Sequence, residues 1–351
     1  MIPFHKMYIG EEEKKAVCDC IDSGWITLGK KCEEFEEQFA EYIGSNYAVS
    51  VDSGTSALFL SLMFVKEKDG FREGHKIAVP SLTFAASATT IIHAGAEPFF
   101  IDVGEDLCMK LEDFARYLDL FTTYVDVQLA GNKTTWDSLS KWRVVDSAHL
   151  IERDCFCGDL MCFSFHPTKN MTTGKGGMIC TNSEEAYKWL KKARLHGMHK
   201  KEWDEGLSTT VARWGYTVEF AGWKKNMTDL QAVIGIEQLK KMDYMNEEKQ
   251  RCIDRYNENL GLKRSGLHLY YVFVKDREKF MQFMKDSEIQ CSVHFQPLHQ
   301  MPAFKKYTRR LKNTNWFGDH IVSLPFYVDL TNVEIDFICQ KIVESKQLIM
   351  R

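Results

Sequence analysis

Phe163-Ser-Phe-His-Pro-Thr-Lys-Asn-Met-Thr-Thr-Gly-Lys-Gly-Gly-Met178 is the stretch from which the rest of the chain is best read. An apolar run, Leu160 to Phe165, has the composition of a short buried strand. One lysine, Lys169, follows it closely and precedes a loop of threonine and glycine. A lysine at a strand end beside a tight loop is partly desolvated, which disfavours its ammonium form and leaves an amine able to attack a carbonyl. That is the chemistry of a Schiff base. The alternative, a solvated loop lysine, is the ordinary fate of this residue type. Other segments decide between them.

Upstream, Trp142-Arg-Val-Val-Asp146-Ser-Ala-His149 reads as a β-branched strand ending in an aspartate. Open α/β sheets bind ligands outside the carboxyl ends of their strands. A carboxylate placed there can hold a cationic heteroaromatic nitrogen, as the pyridinium of pyridoxal phosphate requires; a turn residue or helix cap is the plainer reading. A third segment, Ala48-Val-Ser-Val-Asp-Ser53-Gly54-Thr55-Ser56, runs from a strand into a helix whose Leu58, Leu62 and Val65 share a face. It offers free N–H groups and hydroxyls at a helix start, a phosphate cradle or an ordinary N-cap. Pro80-Ser-Leu-Thr-Phe84 ends another strand and supplies an aromatic face for a flat ring.

Taken together, these segments resemble the DegT/DnrJ/EryC1/StrS family of pyridoxal-phosphate-dependent nucleotide-sugar aminotransferases. The resemblance extends from Pro3-Phe-His-Lys through Ser23-Gly-Trp-Ile-Thr, Gly95-Ala-Glu-Pro, Arg194-Leu-His-Gly and Gly222-Trp-Lys-Lys-Asn226 to Val293-His-Phe-Gln-Pro-Leu-His299 and Ser323-Leu-Pro. It implies an α/β fold of the aspartate-aminotransferase type, with a large mainly parallel sheet domain over residues 1–240, N-terminal arm included, and a smaller α+β domain over 241–351. Lys169 is then the Schiff-base lysine and the proton carrier, and Asp146 the partner of the pyridine nitrogen. Phe84 stacks on the ring. His149 stands near its phenolic oxygen or packs behind it. Gly54, Thr55 and Ser164 hold the phosphate.

Asn226 resembles the asparagine that reaches the phosphate of a neighbouring subunit, which implies a homodimer with shared active sites; a helix N-cap is the other reading of that residue. Trp25 and Thr27 resemble positions lining the sugar pocket, and Lys224 and His294 are candidates for neutralising a nucleotide diphosphate. The reaction implied moves an amino group from L-glutamate to C4 of a dTDP-4-keto-6-deoxyhexose, giving a dTDP-4-amino-4,6-dideoxy sugar for glycan biosynthesis. Amination at C3, or a UDP- or GDP-linked sugar, is the alternative. A sugar 3-dehydratase of this family carries histidine in place of the lysine, and a non-catalytic regulator would lose the lysine or the aspartate, so Lys169 and Asp146 weigh against both.

Composition narrows the remaining classes. The chain has 351 residues and a net charge of −4, long enough for two domains and without a basic footprint for nucleic acid. It contains no apolar span of bilayer length, and Met-Ile-Pro-Phe-His-Lys at the start is no signal peptide, so neither membrane nor secretion is expected. Eleven cysteines, an odd number, suit free thiols in a reducing cytoplasm. Cys18 with Cys20 and Cys155 with Cys157 lack zinc-site spacing, and no metal is expected.

Strand and helix patterns alternate from Tyr47 to Thr181. Short strands are expected at Ile77–Pro80, Pro98–Asp102, Arg143–Asp146 and Met178–Thr181, and an amphipathic helix over Met227–Met245 opened by Asn-Met-Thr-Asp. Further on, strands are expected at His268–Val274 and Gln290–Phe295, with helices at Glu278–Asp286 and Val333–Val343. Two segments depart from the family pattern. Gly131 to Asp146 is short, with Gln128 and Ala130 where a histidine and an aromatic residue are common, and a second shortening falls near Leu262–Gly266.

Overall fold

A computed structural model describes residues 1–349 other than 73, 135–140 and 200–216. Part of the shortened Gly131–Asp146 stretch therefore lies outside the described residues. Seven strands form the main sheet: β1 (Tyr47–Val51), β2 (Lys76–Pro80), β3 (Glu97–Ile101), β4 (Thr123–Val127), β5 (Trp142–Asp146), β6 (Leu160–Ser164) and β7 (Gly177–Thr181). Their spatial order is β1-β7-β6-β5-β4-β2-β3. β7 runs antiparallel to both its neighbours, and the β6-β5-β4-β2-β3 pairs are all parallel.

β4 and β7 are buried along their whole length, and β1, β2 and β5 at every position but the first. That burial accounts for near-continuous apolar runs without alternation. The helix Gly54–Asp69 crosses one face, burying Leu58, Leu62 and Val65 as its pattern predicts. On the other face Phe35, Phe39, Phe163 and Phe165 pack at centroid distances of 5.0 to 5.8 Å, edge to face except for the tilted pair Phe35–Phe165. Each such ring contributes roughly 2 kcal/mol by leaving water.

Among the described residues two ion pairs are buried on both sides within this unit. Arg194 donates to Glu36, and Glu36 accepts from the N–H and hydroxyl of Ser50, tying the helix Lys30–Ile43 to β1. Arg143 and Asp126 pair at 2.6 Å between β5 and β4.

The expected helix over Met227–Met245 is two helices, Asp229–Lys240 and Met242–Leu260, interrupted at Lys241. Thr228, and not Asn226, caps the first, in a reciprocal pair with Gln231. Beyond it lies a three-stranded antiparallel sheet of Ile321–Ser323, Tyr271–Val274 and Leu348–Ile349, covered by Met242–Leu260, Arg277–Asp286 and Asn332–Ser345. The strand expected at His268–Val274 starts only at Tyr271, because the N–H groups of His268 and Leu269 turn to the carbonyl of Ala130. Gln290–Phe295 is not a regular strand. It pairs with Ser323 only through Ser292, while Gln290 bonds to Ile2 of the N-terminal arm.

Lys249, inside the Met242–Leu260 helix, is buried without a hydrogen-bond or ion-pair partner among the described residues, and burial pushes its amine down to about 8. The unfolded chain keeps that proton up to about 10.5, so the cost of the buried charge is full below pH 8 and fades as pH rises toward 10.5. Lys249→Met is expected to stabilise the protein by up to about 3 kcal/mol at pH 7 and by clearly less at pH 10. Urea denaturation at the two pH values checks this, and an equal gain at both would refute the assignment.

Candidate active site

The carboxyl ends of β1, β2, β4, β5 and β6, with the amino end of the antiparallel β7, open on one cavity of about 370 Å³. Each strand delivers its own residues: Ser53, Gly54 and Thr55 after β1, Thr83 and Phe84 after β2, Val127 and Leu129 at β4. Asp146 and His149 come from β5, Ser164 and Lys169 from β6, Lys175 and Gly176 from the loop before β7. The arrangement follows from the sheet: parallel strands put all their exit turns at one edge.

Lys169 is half-buried, and desolvation lowers its amine to about 8 against the opposing pull of Asp146. Asp146, at the last position of β5, is buried, and desolvation raises its carboxyl. It accepts from Ser87 Oγ at 2.7 Å and from the Ala148 N–H at 3.2 Å, which orient it and partly offset the raising. Ser87 is itself bonded to Thr83 at 2.8 Å.

His149 is buried and held far below the ordinary imidazole range, by desolvation first and then by Lys169 and His294. Its Nδ1 accepts from the Ala130 N–H at 3.2 Å, so the neutral ring carries its proton on Nε2. His294 lines the same cavity, stacks on Phe4 and bonds to Ser323 Oγ at 2.9 Å; burial and then Lys169 bring it down to about 4. With the histidines neutral, the charged groups lining the cavity are Lys169, Lys175 and Asp146.

At the other end the helix Gly54–Asp69 begins, capped by Ser53 on the Ser56 N–H at 3.2 Å. The first-turn amides of Gly54 and Thr55 have no partner within the helix. A Cβ on Gly54 would lie 2.7 Å from Cβ of Ser164, so glycine alone lets the helix start approach the end of β6. Phe84, 58% exposed, presents its ring to the cavity and meets Phe295 at 5.9 Å.

Of the residues singled out from the sequence, Lys169, Asp146, His149, Phe84, Gly54, Thr55, Ser164 and His294 therefore converge. Trp25, Thr27, Lys224 and Asn226 do not line the cavity of their own chain. Trp25 and Lys224 are exposed; the Thr27 carbonyl accepts from the Asp229 N–H, and Asn226 bridges to Val51 and bonds to the Met227 carbonyl. Sequence reasoning missed Ser87, Lys175, His268 and Phe295. Ser87 was within reach, since it follows Phe84 by one helical turn.

The residues fit pyridoxal phosphate by their chemistry: a desolvated amine, a buried carboxylate with one oxygen held by a hydroxyl, and a turn of free amides close to Ser164. Comparison with known proteins agrees. The profile of the DegT/DnrJ/EryC1/StrS aminotransferase family matches residues 7–343. Spore coat polysaccharide biosynthesis protein SpsC of Bacillus subtilis is 32% identical over 97% of this chain and 96% of its own, and an uncharacterized protein of Methanocaldococcus jannaschii is 34% identical over 95% of each. Among solved structures, the putative sugar aminotransferase Spr1654 of Streptococcus pneumoniae in its PMP form superposes with a TM-score of 0.86, at 26% identity and covering 98% of this chain and 99% of that one. The aminotransferase PseC of Helicobacter pylori shares the fold, with a TM-score of 0.89 at 23% identity over 98% of each chain. The chain belongs to the DegT/DnrJ/EryC1/StrS aminotransferase family and is a pyridoxal-phosphate-dependent enzyme.

Proposed function

We propose that this enzyme transfers an amino group from L-glutamate to C4 of a dTDP-4-keto-6-deoxyhexose, making a dTDP-4-amino-4,6-dideoxy sugar in the cytoplasm. The observation that carries the reading is the pairing of desolvated Lys169 with buried Asp146 at the ends of adjacent strands. A regulator would need neither, and a 3-dehydratase would not keep the lysine. Similarity to SpsC and Spr1654 supports a sugar as the acceptor. No described helix is long and apolar enough to cross a membrane, and all eleven cysteines are free.

Bound pyridoxal phosphate supplies a reactive carbonyl and an electron-accepting ring. Lys169 would hold the cofactor through its amine Nζ and, once released, would hold and move a proton at that atom. At about 8 a useful fraction of this amine is neutral near physiological pH, where an ordinary lysine is almost wholly ammonium. Asp146, aimed by Ser87 and the Ala148 N–H, would hold a proton on the ring nitrogen through a charge-assisted bond. His149, with Nδ1 taken by the Ala130 N–H, would offer its Nε2–H to the ring oxygen. Gly54, Thr55 and Ser164 hold the phosphate, and Phe84 covers one ring face. His294, brought down to about 4, is neutral and would meet the substrate diphosphate as a hydrogen-bond donor rather than neutralise it; the positive charge would come from Lys224 and from Lys175 beside the cavity.

A homodimer with shared sites belongs to the same reading. Trp25 and Ile26 are 57% and 49% exposed, and their loop meets the Asn226–Asp229 segment through the Thr27 carbonyl. Large apolar side chains left in water beside residues expected to act in a neighbour's cavity are what an interface would cover. The large and small units divide at Lys241, between the two helices.

Borohydride reduction is expected to fix the cofactor on Lys169, and Lys169→Ala to lower turnover by at least about a thousandfold. Cofactor fixed on another lysine would refute the assignment. Mixing inactive Lys169→Ala subunits with inactive Asn226→Ala subunits is expected to restore part of the activity through one intact hybrid site, and full activity of a monomer in sedimentation would refute sharing. The substrate is tested with glutamate and a panel of dTDP-, UDP- and GDP-linked 3-keto and 4-keto sugars, the products assigned by NMR. Turnover of the dTDP-4-keto sugar to the 4-amino product is expected. Turnover of 3-keto sugars alone would move the reaction to C3; failure with every nucleotide sugar, alongside transfer between free amino and keto acids, would overturn the substrate class.

A further inference from the structure

His268 belongs to none of the motifs above, yet it lines the cavity from the segment that leads into strand Tyr271–Val274. Its ring lies over that of His149, 4.1 Å between centroids and tilted by 33°, and both side chains are buried. One peptide holds the two residues together. Ala130 donates its N–H to His149 Nδ1 at 3.2 Å, while its carbonyl accepts the N–H of His268 at 3.3 Å and of Leu269 at 3.4 Å.

The junction is built backbone against backbone. A Cβ on Gly266 would stand 2.3 Å from the Ala130 carbonyl oxygen, and one on Gly131 would stand 2.8 Å from the Leu267 nitrogen at a φ of +92°. They lie in or beside the two segments expected from the sequence to depart from the family pattern, and the fold brings them into contact.

A ring nitrogen that accepts a hydrogen bond cannot carry a proton. While the Ala130 N–H points at Nδ1, His149 is neutral, with Nε2–H as its one donor. Protonation at Nδ1 would set N–H against N–H, and water reaching the ring could relieve that clash by accepting a hydrogen bond from Nδ1–H. The His268 ring closes one side against water; Phe295, centred 6.0 Å from His149, stands near it. Lys169 and His294 act on His149, and Lys169, Lys249, His149 and His294 on His268, each disfavouring a further positive charge. Asp146 lines the same cavity, held by Ser87 and Ala148.

We propose that His268 is a positioning residue whose ring seals His149 and keeps it as the neutral Nε2–H tautomer, so that the segment entering the small sheet sets the donor state of a residue on the large one. The consequence for the cofactor rests on the reading above that His149 faces its ring; the sealing itself does not.

The test uses apoprotein labelled with ¹⁵N-histidine, the His149 signals being identified by their loss in His149→Gln. In the wild type His149 is expected to remain the neutral Nε2–H form across about pH 6 to 8. In His268→Ala it is expected to titrate or mix tautomers within that window, and in His268→Phe, which keeps a ring of similar size, to return to the wild-type state. The visible band of the cofactor-loaded enzyme should gain a pH dependence in the same window in the alanine variant alone. An unchanged His149 tautomer in His268→Ala, with circular dichroism and melting temperature preserved, would overturn the proposal. So would restoration by His268→Gln but not by His268→Phe, which would assign the effect to a ring nitrogen. A tautomer change with an unaltered visible band would uphold the sealing and refute the placement of His149 beside the cofactor.

Discussion

An amine and a carboxylate taken out of water at the ends of neighbouring strands are the constraint on which the site depends. β5 and β6 are paired in parallel, with Asp146 opposite Cys162, so the turns after both strands leave the sheet at the same edge. Desolvation works against both charges: it lowers Lys169 and raises Asp146. Each partly restores the other, and Ser87 and the Ala148 N–H hold the carboxylate in its charged form. Neither charge would persist there without a surrounding sheet rigid enough to prevent relaxation toward water.

Much of this was legible because it is local. A strand ending in Asp146, a strand ending at Ser164 before Lys169, and Ser53-Gly-Thr opening a helix are short patterns whose meaning does not depend on distant residues. Five observed strands lie within a residue or two of their expected limits for the same reason. Failures came where distant segments decide the outcome. Gln290–Phe295 has the composition of a strand, but its pairing is divided between Ile2 and Ser323. His268 has the composition of a strand start, but its amide is taken by Ala130. No window of sequence containing either residue includes its partner.

The charge pattern of the cavity follows from the same desolvation. Four histidines line it, His149, His166, His268 and His294, and burial keeps all four below their ordinary range. The net field is then set by two lysines and one carboxylate, an environment suited to phosphate groups near Ser53, Gly54 and Thr55. Neutral histidines add donors and acceptors without adding charge. A cavity of this kind can bind an anionic cofactor without holding it by a dense cluster of cations.

A perturbed pKa does not by itself mark the reactive lysine here, because two lysines are shifted alike. Lys169 and Lys249 both stand at about 8, both through burial. They even share a wall: the small space of about 20 Å³ beside Lys249 is lined by Lys169, His5 and Asn170. What separates them is company. Lys169 also lines the cavity of about 370 Å³ that admits a ligand and has a carboxylate acting on it, whereas Lys249 has no carboxylate paired with it among the described residues, and the nearby Cys252 thiol, pushed up to about 11, is neutral near pH 7. Desolvation makes an amine available; a neighbouring cavity and a placed counter-charge give it something to react with and a reason to hold its geometry. By that criterion Lys249 is a cost borne by the helix Met242–Leu260, and Lys169 is the residue around which the sheet edge is organised.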